Sequence, residues 1–170
     1  MIDNSPLPPE SIGLRLAREG DEGFLRLVYA ESRREELDQV VWPEGVREQF
    51  LRSQFDAQAT HYVKHYAGVE FLIIELAGTR AGRLYVQRTS SEILVMDIAL
   101  IPEFRGKGIG TVLLRQILDE GQSSARIVTM HVEKFNPALR LYERLGFRIA
   151  EDQGVYWLLQ WSPVPPVAIS

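Results

Sequence analysis

The chain has 170 residues, 45% hydrophobic and 25% charged, which suits one ordinary globular domain with room for a sizeable core. Its net charge of −4 argues against sequence-independent nucleic-acid binding as the main task. It contains no cysteine, which excludes disulfides, thiolate metal sites and a cysteine nucleophile.

The start, Met1 to Ser11, is proline-rich and lacks the basic region followed by an apolar core that marks a signal peptide. No apolar run approaches the roughly 18 residues of a membrane span, so the expectation is a soluble, cytoplasmic protein with no membrane partner. Gly13–Ala17 alternates apolar and polar residues as a first strand does. Asp21 can cap a helix running to about Glu36, with Phe24, Leu25, Val28 and Tyr29 as its apolar stripe. After the turn at 42–45 a second helix runs to about His61, its stripe being Val46, Phe50, Leu51 and Phe55 with Gln54. Phe71–Ala77 and Ala81–Gln87 form a hairpin about a turn at Gly78-Thr79.

Glu92–Ile101 is an apolar run that suits a buried strand. It breaks at Pro102 and leads through Arg105-Gly106-Lys107-Gly108-Ile109-Gly110-Thr111 into a helix ending near Gly121. Ala125–Val132 is the next strand. Asn136 and Pro137 open a further helix stopped by Gly146. Phe147–Ile149 and Val155–Trp161 close the chain as a hairpin, and residues 1–11 and 162–170 are expected to be loose. The pattern is β-α-α-β-β-β-α-β-α-β-β over a single domain, 1–170. The last strand aligns Val155, Trp157, Leu159 and Trp161 on one face, which is either core or the surface of a homodimer.

Three glycines where a helix begins need a reason, because each costs about 1 kcal/mol against alanine in a helical turn. Anion binding supplies one. Unshielded N–H groups at a helix start, reinforced by the helix dipole and by Arg105 and Lys107, form a cradle for phosphate. Lys107 is followed by Gly108, so this is not a G-x-x-x-x-G-K-[ST] P-loop, and G-x-G-x-G past mid-chain is not a dinucleotide fingerprint. Histidines 61 and 65 lie four apart, but a zinc-protease motif needs Glu at 62 and the chain has Tyr62, so no metal is expected.

Arg105-Gly-Lys-Gly108-Ile-Gly110 instead matches [QR]-x-x-G-x-[GA], and the chain here resembles the GNAT superfamily of N-acetyltransferases. Asn136-Pro-Ala-Leu-Arg-Leu-Tyr142-Glu-Arg-Leu-Gly146-Phe147 is similar to that superfamily's second signature, and the likeness covers roughly Ile73 to Phe147. The resemblance implies an α/β (α+β) fold, a mixed, mostly antiparallel twisted sheet flanked by helices. It implies acetyl-CoA as co-substrate, with Arg105, Gly106, Lys107, Gly108, Ile109, Gly110 and Thr111 at the pyrophosphate. Backbone at Ile98, Ala99 and Leu100 would pair with the pantetheine arm. Asn136 would contact the same arm, though a helix cap is explanation enough for it. Tyr142 would protonate the leaving thiolate, the alternative being a core tyrosine.

A general base is less sharply marked. The resemblance points near Glu92 on the central strand, with Asp97, Glu133 and His131 as further candidates. Glu92 as a solvated strand-end residue and Asp97 as a structural one are the plainer readings. In the resembling fold the first two helices border the acceptor, making Tyr29, Arg33, Arg34, Trp42, Phe50, Gln54 and Tyr62 the informative positions. The expected activity is direct acetyl transfer to an amine acceptor, without an acyl-enzyme and without a nucleic-acid partner. The alternatives are a CoA-binding sensor that does not turn over, and transfer of a longer acyl group.

Overall fold

The computed structural model describes residues 11–165, so most of the two segments expected to be loose lies outside the described residues. The described residues form two compact units, residues 11–85 with 97–110, and residues 86–96 with 111–165.

In the first unit β1 (Ile12–Leu16) pairs antiparallel with β2 (Glu70–Leu76), from Ile12↔Leu76 to Leu16↔Leu72. The turn into β3 (Thr79–Arg88) sits at Ala77 and Gly78, one residue earlier than expected. Both have positive φ, 49° and 82°, the backbone a tight two-residue hairpin requires. The second half of β4 (Glu92–Leu100) also belongs here.

The expected first helix is in fact two, α1 (Glu22–Ser32) and α2 (Arg34–Asp38). Ser32 Oγ donates to the Tyr29 carbonyl at 2.6 Å, and the Arg33 N–H turns to the Ala30 carbonyl at 3.1 Å, so the helix tightens and breaks. The stripe Phe24, Leu25, Val28 and Tyr29 is buried as expected. Helix α3 (Val46–His65) runs a turn further than expected, and its stripe is displaced. Val46 and Phe50 are exposed, and of the expected stripe Phe55 is the buried member, its ring edge-on to Tyr29 at 5.9 Å. The helix then presents Gln58 and Tyr62 inward, Tyr62 meeting Tyr85 of β3 at 6.0 Å. Polar and aromatic residues do the packing that aliphatic ones were expected to do.

In the second unit the first half of β4 pairs parallel with β5 (Ile127–Glu133), from Glu92↔Ile127 to Val95↔Met130. β5 pairs antiparallel with β7 (Tyr156–Trp161), and β7 with β6 (Arg148–Gln153), with a bulge between Ile149 and Glu151. Helix α4 (Ile109–Ser124) buries Leu113, Leu114, Ile117 and Leu118. It passes through Gly121 rather than ending there. A Cβ at Gly121 would lie 2.9 Å from the Trp161 ring and 3.0 Å from the Arg126 carbonyl, so that glycine marks close packing, not a stop. Helix α5 (Leu139–Arg144) starts three residues after Asn136, whose Oδ1 accepts the Ala138 N–H at 2.8 Å. Asn136 thus closes a turn ahead of the helix instead of capping it.

The hydrogen-bonded strand order is β1-β2-β3-β4-β5-β7-β6, a mixed, mostly antiparallel sheet accompanied by helices. β7 is therefore an interior strand. On the face that raised the choice between core and dimer surface, Leu159 is buried, Trp157 and Trp161 are half-buried with Trp161 against Gly121 and Gly146, and Val155 is exposed. No described helix is long and apolar enough to cross a membrane.

Candidate active site

The glycine loop opens where β4 ends. A 3-10 turn, Pro102–Phe104, follows the strand, and Arg105 Nε donates to the Leu100 carbonyl at 2.9 Å, tying the loop back to the strand end. Gly106 and Gly108 hold φ of 73° and 81°, in the left-handed region that an L side chain enters at a cost of about 1–2 kcal/mol. A Cβ built on Gly106, Gly108 or Gly110 meets nothing within 4 Å, so close packing does not explain these glycines. Residues 105–108 are exposed and Ile109 is buried, which anchors the start of α4. The first N–H groups of such a helix have no intrahelical acceptor and carry the positive end of its dipole. Backbone conformation, exposure and charge there all suit an oxyanion.

One residue before Ile98 stands Asp97, the outer partner of a buried cation. Arg83 of β3 is 2% exposed, and its Nε donates to Asp97 Oδ2 at 2.5 Å, while Asp97 keeps 27% of its side chain exposed. Arg83 also donates to Gln58 Oε1 at 3.2 Å and to the Tyr85 hydroxyl at 3.4 Å, and lies 4.6 Å over the Tyr85 ring. Burial works against the guanidinium's charge, but the Asp97 carboxylate and Tyr85 more than offset it and hold the Arg83 pKa above its ordinary value. Burial, and then the charge of Asp97, push the Tyr62 phenol up to about 12. Tyr85 is likewise raised, chiefly by burial.

In the second unit Glu92 opens β4, and its Oε1 accepts a hydrogen bond from the hydroxyl of Thr129, which is 3% exposed. Glu92 is thus a half-buried, oriented carboxylate rather than a solvated strand end. Tyr142 lies on α5, 6% exposed, with its ring 6.2 Å from Phe147. Thr111 is in the first turns of α4 and half-buried. Of the other base candidates, His131 Nδ1 shares a 2.8 Å hydrogen bond with Gln153 and Glu133 is exposed. The rings of His61 and His65 are 4.5 Å apart, and the described residues contain no group of three or more His, Cys, Asp or Glu that could hold a metal ion.

Sequence reasoning missed Arg83, Gln58, Tyr85 and Thr129. Ala81–Gln87 reads as an ordinary hairpin strand with a polar face. What it hid is that this face is buried too, so Arg83 had to have a partner.

A family profile described as "Acetyltransferase (GNAT) domain" matches residues 67–149. The pig thialysine N-epsilon-acetyltransferase is 30% identical over 160 residues, covering 85% of this chain and 89% of that protein. This chain belongs to the GNAT acetyltransferase family. Mycothiol acetyltransferase of Corynebacterium glutamicum is 37% identical over 75 residues, 42% of this chain, which spans about a quarter (26%) of that relative. Among solved structures, the PaiA N-acetyltransferase of Thermoplasma acidophilum, in complex with coenzyme A, shares the fold. Its TM-score is 0.68 at 18% identity, over 89% of this chain and 99% of that one. The ribosomal-protein-S18-alanine N-acetyltransferase of Escherichia coli does so with a TM-score of 0.60 at 17% identity, over 94% and 99%. The GNAT profile spans the glycine loop, both halves of β4 and α5, the segments in which the sequence placed its site residues.

Proposed function

We propose that this GNAT chain transfers the acetyl group of acetyl-CoA to a primary amine, and that residues 1–170 act as one acetyltransferase domain. The observation that carries the reading is the pair Gly106 and Gly108, left-handed, exposed and free of internal packing, at the start of α4. Arg105 to Thr111 bind the pyrophosphate through backbone N–H groups. Backbone of Ile98, Ala99 and Leu100 pairs with the pantetheine arm. The Leu100 carbonyl already serves Arg105, so this pairing uses the other groups of that edge. The amine nitrogen attacks the thioester carbonyl carbon, its proton passes to Glu92 directly or through water, and the C–S bond breaks as Tyr142 protonates the leaving sulfur. Thr129 keeps the Glu92 carboxylate oriented for that task. Asn136 contributes to holding the arm.

The relative named for N-epsilon acetylation of thialysine supports an amine acceptor. The relative matched over most of its length supports a small basic amino acid more than a peptide. The test is to incubate the protein with acetyl-CoA and a mixture of amino acids, diamines and short peptides, then identify N-acetyl products by mass spectrometry. Acetylation of one amine class is expected. Bound acetyl-CoA with no acetylated amine and no released CoA would instead favour the sensor.

A further inference from the structure

The Arg83–Asp97 pair has a direction. Its positive end is sealed in the first unit, and its negative end reaches the surface. A buried guanidinium is costly to desolvate, and a hydrophobic residue in its place would commonly be no less stable, so the pair needs a reason besides folding. Arg83 occupies one carboxylate oxygen, Oδ2, and fixes the side chain, while Gln58 and Tyr85 hold Arg83 itself. Beside this pair stand the buried ring of Tyr85, under the Arg83 guanidinium, and the half-exposed ring of Tyr62, 6.0 Å from Tyr85. Tyr62 lies 6.1 Å from Tyr66, and Phe71 meets Tyr85 edge-on at 4.7 Å. The phenol of Tyr62 is neutral at physiological pH, its pKa lifted by burial and by the nearness of Asp97.

An outward carboxylate near aromatic rings is the chemistry that recognises an ammonium ion, through a charge-assisted hydrogen bond and the negative faces of the rings. Arg83 fixes Asp97 through Oδ2, so the carboxylate stands at a set point where it can anchor a cationic group. The nitrogen it holds is therefore one that stays protonated, not the one that attacks. Asp97 precedes Ile98, about 3.3 Å along the strand from where the acetyl-CoA arm is placed, so a molecule anchored there reaches the thioester with its other end.

We propose that Asp97, with Tyr62 and Tyr66, forms an acceptor subsite for the second, non-reacting ammonium of a diamine or basic amino acid. The inference rests on the acetyltransferase reading and narrows its substrate class.

The test compares 1,4-diaminobutane with n-butylamine as acceptors, in wild type, Tyr66→Leu, and the double variant Arg83→Met/Asp97→Asn. The double variant removes both charges, so no unpaired ion is left buried. Wild type is expected to prefer the diamine in kcat/KM. That preference should fall roughly 10- to 100-fold in the double variant and by a smaller factor in Tyr66→Leu, mostly through KM. A preference that survives in the double variant, or that is absent in wild type, overturns the subsite. Calorimetric titration with 1,4-diaminobutane reads the subsite without turnover. If no amine is acetylated yet the diamine binds and the double variant abolishes binding, the subsite stands and the transferase reading fails. No heat of binding in wild type overturns the subsite.

Discussion

Gly82 lies in β3 beside the end of β4, and a methyl group there has nowhere to go. The Cβ of alanine would sit 2.1 Å from the Ala99 carbonyl oxygen and 2.9 Å from the Leu100 Cα, both backbone atoms that no rotamer change can move. Restoring an ordinary contact of about 3.4 Å from 2.1 Å requires the strands to part by about 1.3 Å. Hydrogen bonds tolerate only a few tenths of an ångström, so the neighbouring 2.9 Å bond from the Ile101 N–H to the Ala81 carbonyl would be lost. Overpacking at about 1–3 kcal/mol and one lost buried bond at about 1 kcal/mol give roughly 3 kcal/mol of destabilisation. For a chain of this size that lowers Tm by about 6–12 °C. The assay is thermal unfolding by circular dichroism of Gly82→Ala beside Gly13→Ala. At Gly13 a Cβ meets nothing within 4 Å, so a change near zero is expected. A Gly82→Ala protein melting within about 2 °C of wild type would show that β3 and β4 do not approach this closely.

Other consequences are as direct. Gly108→Ala forces an alanine to φ 81°, and acetyl-CoA affinity measured by calorimetry should fall about 5- to 30-fold, since about 1–2 kcal/mol of strain must be met or the loop must change shape. Undiminished affinity would remove the loop from the cofactor site. Tyr142→Phe should lower turnover while leaving acetyl-CoA affinity nearly intact, and unchanged kcat would take Tyr142 out of the mechanism. Asp21 is buried and accepts hydrogen bonds from Arg15 at 2.7 and 2.9 Å, from the Arg18 N–H, and from Arg80. The Arg15 bonds hold its carboxyl far below the ordinary value of 3.8. A depressed carboxylate stabilises the fold fully above its unfolded value and loses that contribution as pH falls through the folded one. Urea unfolding should therefore show wild-type stability dropping below about pH 4, with a shallower drop in Asp21→Asn. Parallel acid profiles would contradict the role of this cluster.

The order of elements was legible because apolar spacing, turn residues and the glycine loop are local signals. What the chain hid is tertiary. The break at Arg33 depends on a Ser32 hydroxyl capturing one carbonyl, which no periodicity reports. The inward face of α3 could not be read either, because Gln58 and Tyr62 pack where Val46 and Phe50 do not. Gly121 looked like a helix stop because sequence shows a missing side chain but not the Trp161 ring that needs its space. At the site, the loop residues stand out since glycines alternating with basic residues have few other uses. Glu92 was readable as a carboxylate on the right strand, while the Thr129 hydroxyl that orients it comes from a strand 37 residues away. Arg83 was invisible as anything but a surface residue until its burial was known.

The most direct measurement of the account is CoA release followed with a thiol-reactive dye, in the presence and absence of amines. The chain has no cysteine, so every new thiol comes from CoA. The account predicts release that depends on the amine and matches N-acetyl product one for one, with no acetyl group left on the protein by intact mass. Release at the same rate without an amine, or an acetylated protein, would contradict direct transfer.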